Sequence, residues 1–216
     1  MSHRSYVSPP WLHACAVAAV GTLAYLLVAA AGPTLPELRA AQAVVDTVDD
    51  RKPAYDRASL ERAIHDRVNR VRAQHNLSRL TWTDSLRRLA RMHSRDMADR
   101  NFFAHTNPSG EDVNDRAQSI GLACRRSLPN GVWAVGFSEN LYEGSLYSRL
   151  QTRYQGNRVV ERIYDWKTPR ALVRSVVHGW LNSPGHRKNL LSSVSRVQSI
   201  GIVVDGKQFI VTQVLC

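Results

Sequence analysis

The sequence predicts an α+β layered domain behind an apolar N-terminal segment. Three observations carry this. Apolar residues recur at helical spacing in separate stretches of residues 59–182. Two β-branched runs flank a turn signal near the C-terminal end. Helical and extended segments do not alternate regularly, as parallel βαβ units would require. The 216 residues, 44% hydrophobic and 22% charged, suffice for one ordinary domain with its own core and exclude a disordered chain. Lys and Arg number 29 against 18 Asp and Glu, a net charge of +11. Such an excess suits an anionic partner and says nothing about fold.

Residues 1–10 form a short head. Residues 11–32, "WLHACAVAAVGTLAYLLVAAAG", hold no Asp, Glu, Lys or Arg. A spanning helix needs about 20 apolar residues, whereas a cleavable signal core has about 7–15. The length predicts a transmembrane signal anchor, with a signal peptide cut near "AAAG" or "RAAQA" as the alternative. Either places the rest outside the cytoplasm, because positive charge precedes the segment. Residues 33–57 mix prolines with both charge signs and read as a linker, leaving residues 58–216 as the domain.

Within the domain, Leu60, Ile64, Val68 and Val71 share a helix face, with Ser59 as its N-cap and Asn76 near its end. A second helix starts near Asp84. His93 lies on its apolar stripe with Leu86, Leu89, Ala90 and Met97, and is expected as a hydrogen-bonded core histidine. In "NFFAHTNPSGEDV" the aromatics should bury and "NPSG" should turn. A short helix then buries Val113, Ala117 and Ile120 and stops at Gly121. "VWAVGF" alternates like a strand. Residues 145–166 read as an excursion with its own helix. Thr168 and Pro169 open the next helix as N-cap and first residue. Its face is Leu172, Val173, Val176, Val177 and Trp180, and Pro184 ends it near Ser183. A short turn should then carry His186. The two runs around Asp205-Gly206 predict a terminal hairpin.

Cys15 lies in the apolar segment. Cys124 and Cys216 are the two thiols of the domain. Outside the cytoplasm they could bridge, although spacing alone does not bring them together.

Four motifs follow in order: "HSRDMADRNFFAHTNPSG", "SENLYEG", "WLNSPGHRKNLL" and "IGIVVDGKQFIVTQV". Together they resemble the CAP superfamily (cysteine-rich secretory proteins, antigen 5, pathogenesis-related 1), most of all its prokaryotic secreted branch, over residues 59–216. The resemblance implies a three-layer α-β-α sandwich around a small, mostly antiparallel sheet. It also implies a cleft of two histidines and two glutamates. "FFAH" supplies His105, "SENL" supplies Glu139 and "SPGHR" supplies His186. Ser183 stands where the second glutamate would be, and Ser138 replaces the usual glycine of "GENL". Asn107, Arg116 and Asn140 also match family positions. Arg116 suits bracing loops through carboxylates or carbonyls, and Asn140 and Asn189 suit bonds to backbone near the cleft.

Two imidazoles and a carboxylate can hold zinc or another divalent metal with a position left open. Without metal they can form an acid/base pair oriented by the carboxylate. The expected function is therefore a membrane-anchored extracytoplasmic binding module with a His105/Glu139/His186 cleft. A hydrolase acting on peptide or cell-envelope material through the same residues is the alternative. No "GxSxG" elbow accompanies Ser138 or Ser183, which argues against a serine hydrolase. A third reading rests on residues 145–174, where Arg149, Arg153, Arg158 and Arg162 alternate with aromatics. Such a surface suits lipid headgroups or an anionic envelope polymer. Its place outside the cytoplasm disfavours nucleic acid.

Overall fold

The computed structural model describes residues 52–128 and 131–216. The predicted head, membrane anchor, Cys15 and most of the linker lie outside the described residues. Among those described, no helix is long and apolar enough to cross a membrane.

The first helix, α1 (Arg57–Gln74), starts slightly before the predicted cap. Asp56 is the N-cap, and its carboxylate accepts from the Ser59 amide at 2.8 Å. An ionised acceptor is the better cap at a positive helix end. Asn76 takes a left-handed φ of 57° just after the helix, where a short polar side chain tolerates it. The end of the predicted linker belongs to the domain, since Lys52 donates to the Gly206 carbonyl and Tyr55 to that of Lys167.

Strand β1 (Thr81–Trp82) leads into α2 (Asp84–Asp99), capped by Thr83. The short α3 (Val113–Ser119) carries a reciprocal capping box between Asp112 and Asp115. Strands β2 (Arg125–Ser127) and β3 (Trp133–Val135) pair as a small ribbon, and β4 (Ser138–Ser145) enters the main sheet. Helix α4 (Pro169–Asn182) begins as predicted, with Thr168 accepting from the Ala171 amide. Strands β7 (Val197–Asp205) and β8 (Gln208–Leu215) close the chain as an antiparallel hairpin.

Three expectations need correction. Residues 145–166 hold no helix: β5 (Tyr147–Gln155) and β6 (Arg158–Trp166) form a separate two-stranded hairpin turning at Gly156-Asn157. β-Branched and aromatic residues on both strands and a Gly-Asn turn signal favour this over a helix. The predicted turn after Ser183 is a second short helix, α5 (Pro184–Leu190), because a proline that ends one helix can occupy the first position of the next. Finally, Phe102 packs against the Met97 cluster, but Phe103 stays exposed.

The main sheet runs β1–β7–β8–β4, antiparallel except where β1 meets β7. Its central strands are buried on both faces. Ile200, Ile202, Phe209, Val211 and Leu215 pack with α1 and α4 through Ile64, Val68, Val176 and Trp180. Val214 faces α2 and α3, while Val203 and Ile210 join Met97. The period-two alternation of a strand thus feeds three apolar clusters and helices on both sides. Gly201 allows the closest approach: a methyl there would overlap the backbone of Ala90 and Arg91. Buried Glu61 ties α1 to α2 through a two-pronged bond to Arg91, 2.7 Å on each prong. Cys124 and Cys216 form a disulfide that staples the chain end beside β2.

Candidate functional site

Three separate segments deliver His105, Glu139 and His186 to one place. Glu139 is the second residue of β4, where the strand register against Val214 fixes its direction. Its side chain is only 3% exposed. His105 comes from the loop after α2. Asn101, with φ 52°, turns the chain out of that helix. Asn107 then folds the loop back by accepting from the amides of Ser109 and Glu111 and donating to the Glu111 carboxylate. His186 is the third residue of α5. That helix is anchored by buried Arg72 of α1, which donates to the carbonyls of Leu190 and Ser192.

The Glu139 carboxylate is fully engaged. One oxygen accepts from Nδ1 of His105 at 2.9 Å, and the other accepts from Arg116 at 2.8 Å. Arg116 also donates to the carbonyls of His105 and Glu111, so one guanidinium holds the loop and the carboxylate together. An ionised carboxylate only accepts, so the proton of a neutral His105 sits on Nδ1 and the Nε2 lone pair is free. The His105 side chain is 55% exposed, which leaves that nitrogen reachable from solvent. The ring of His186 lies 6.2 Å from that of His105, centroid to centroid, tilted by 58°. Burial pushes the His186 imidazole below its ordinary pKa, and the neighbouring His105 adds to this. His186 therefore stays uncharged, with a nitrogen able to bind, into weakly acidic solution.

A metal held directly by all three residues would need an oxygen of Glu139 that His105 and Arg116 already occupy. Among the described residues, no group of three or more His, Cys, Asp and Glu side chains is arranged to hold a metal ion. The donor set instead offers two imidazoles, with Glu139 behind one of them. A carboxylate in that position orients a histidine ligand and raises its basicity.

Asn140 donates to the His186 carbonyl at 3.1 Å and to Gln213 at 2.8 Å. Asn189 donates to the Glu139 carbonyl at 3.2 Å and to Asn140 at 2.9 Å. Ser183 ends α4 and starts α5, and its hydroxyl makes no capping bond. Ser138 sits in ordinary strand geometry, so its Cβ costs the backbone nothing. The residue that needs glycine is Gly136, with φ 99°.

His93 is the hydrogen-bonded core histidine the sequence predicts, but its place beside Glu139, and an amide chain leading away from the cleft, escaped the sequence reading. Fully buried His93 bonds the Ala104 carbonyl at 3.0 Å, yet its Nε2 also lies 3.7 Å from Glu139. Burial holds its pKa low against the pull of Glu139. Gln213 and Gln198 continue the amide chain from Asn140 to His65. Two glutamines inside β-branched runs were the available signal, since a buried amide must find partners.

Residues 65–215 match CAP, the cysteine-rich secretory protein family. The chain is 27% identical over 162 residues to the uncharacterized membrane protein YlbC of Bacillus subtilis (strain 168), covering 75% of this chain and 36% of that protein. It is 26% identical over 149 residues to the uncharacterized protein YkwD of the same organism, covering 69% and 44%. The chain thus spans less than half the length of these curated relatives. Among solved structures, it is similar to an extracellular protein containing a SCP domain from Bacillus anthracis str. Ames. That match has 27% identity and a TM-score of 0.46 and covers 74% of this chain and 40% of that one. An outer surface protein from Borrelia burgdorferi matches at 18% identity and a TM-score of 0.48, covering 71% and 89%. With the matched span reaching from the first helix through the last strand, the chain belongs to the CAP (cysteine-rich secretory protein) family.

Proposed function

We propose that this chain is an extracytoplasmic binding module, tethered through residues 11–32, that grips its ligand between the imidazoles of His105 and His186. The observation that carries this is the pair of imidazoles 6.2 Å apart above a carboxylate already neutralised by Arg116. Because Arg116 balances Glu139, the carboxylate needs no further cation and the cleft still presents two imidazoles. Those donors suit zinc or another divalent ion bound by His105 and His186 and completed by ligand or water atoms. Such an ion would supply Lewis acidity to a bound oxygen. Glu139 keeps the proton of His105 on Nδ1, Asn140 holds the backbone of His186, and Asn189 holds that of Glu139. The location is supported by the charge-free segment of residues 11–32 and by relatives named as a membrane protein and an extracellular protein.

Calorimetric titration of zinc into the full-length protein tests this reading. Saturable binding should appear and should vanish in the His105→Ala/His186→Ala variant. Equal heats from both proteins would reject the site.

A second reading, hydrolysis of peptide or envelope material, is favoured by the carboxylate–imidazole pair, which is how a general base is oriented. Incubation with a mixed peptide library should then release products, and Glu139→Gln should slow the release. Cleavage at an unchanged rate would remove Glu139 from any catalytic role.

A further inference from the structure

A cavity of about 760 Å3 lies between α1 and α4 and shares no lining residue with the histidine cleft. Arg67 and Arg70 line it from α1, and Arg170 and Arg174 from α4. Positions three or four apart share a helix face, so each helix contributes a short row of guanidiniums. Among the described residues, none of the four has a hydrogen-bond or ion-pair partner. Some arginines elsewhere are paired instead: Arg91 meets Glu61, Arg116 meets Glu139, and on the hairpin Arg149 meets Asp165 and Arg153 meets Glu161. The one carboxylate in the lining, Asp56, already caps α1. Asp56 offsets the positive end of α1, whereas α4 has Thr168 as its cap and no acidic residue in its first turn, so the positive end of α4 adds to the field.

We infer that this groove binds a phosphodiester-linked chain of polyols or sugars. Guanidinium forks match phosphate oxygens in pairs, and rows of them match a repeating charge. Ala54, Leu60, Ala63, Pro169 and Val173 give the groove an apolar floor that can meet the C–H faces of a polyol between phosphates. No aromatic side chain lines the groove, so it lacks the stacking platform that single-stranded nucleic acid uses. The basic surface anticipated for residues 145–174 therefore divides: the hairpin pairs two of its arginines, and Arg170 and Arg174 turn to the groove.

The test uses full-length protein and a fluorescently labelled poly(glycerol phosphate) oligomer, followed by anisotropy. Arg67→Gln/Arg174→Gln and, separately, Arg70→Gln/Arg170→Gln should each weaken binding at least about tenfold, with unfolding midpoints near that of the parent. Arg67→Lys/Arg174→Lys should fall between parent and Gln variant. Arg149→Gln/Arg153→Gln and His105→Ala/His186→Ala should stay within about twofold, which separates this site from the hairpin and from the cleft. Groove variants that bind like the parent would overturn the assignment. So would vesicles of phosphatidylglycerol, or a single-stranded oligonucleotide, that bind as tightly as the polymer.

Discussion

Arg116 and Arg174 carry the same guanidinium into opposite surroundings. Arg116 is 4% exposed and commits its two terminal nitrogens to Glu139 and two carbonyls. Arg174 is exposed on the wall of a groove, with no partner among the described residues. A buried charge must be paired, because leaving water costs several kcal/mol (~3–5) when the partner is missing. An exposed one stays solvated and free to meet something else. The cleft therefore gains rigidity from its charges, and the groove keeps its charges available for a ligand.

Substitution tests that contrast directly. Arg116→Met should be the most damaging change, lowering urea stability by about 3–5 kcal/mol, because Glu139 would be left buried and uncompensated. A loss below about 1 kcal/mol would mean that the cleft is wetter than its exposure indicates. Replacing Cys124 and Cys216 by alanine comes next, at about 2–4 kcal/mol, read from the urea midpoint. That staple sits with the α2–α3 cluster rather than with α1 and α4, so groove binding should survive it.

Acid should act through three histidines, none of which lines the groove. Burial lowers the pKa of His65, His93 and His186, and at His186 the positive charge of a protonated neighbour adds to the effect. A depressed folded-state pKa contributes stability that is complete above the unfolded value, about 6.5, and is lost as pH falls through the folded value. Urea midpoints in metal-free buffer should thus hold from pH 8 to about 6.5 and then decline. The decline should shrink in His93→Gln if the substitute amide keeps the Ala104 bond. The smallest effect belongs to Arg174→Gln or Arg153→Gln, each within about 0.5–1 kcal/mol of the parent, since exposed charges contribute little to stability. A larger loss at Arg174 would expose an unseen partner and weaken the groove assignment.

Much of the scaffold was legible because its signals are local. The Thr168-Pro169 start, the Leu172–Trp180 face and the Asp205-Gly206 turn depend on backbone chemistry within a few residues. The hairpin of β5 and β6 was missed because arginines interrupt its apolar alternation, and both of its strands remain edges with no buried face to impress a pattern. Helix α5 was missed because a proline reads equally well as a stop or a start.

By itself the sequence determined the residue types of the cleft, the two ends of α4 and the excess of positive charge. It named His105, Glu139 and His186 through motifs far apart in the chain. Only the tertiary structure decided how they share work. Strand register against β8, the Asn107 turn and the Arg72 anchor bring three segments together and place Glu139 behind His105, with Arg116 on its other oxygen. The same holds for the groove: α1 and α4 lie about a hundred residues apart, and their arginines face one cavity only because both helices pack on one side of the sheet. Side-chain chemistry is written locally, whereas proximity between distant segments is fixed by burial of the core.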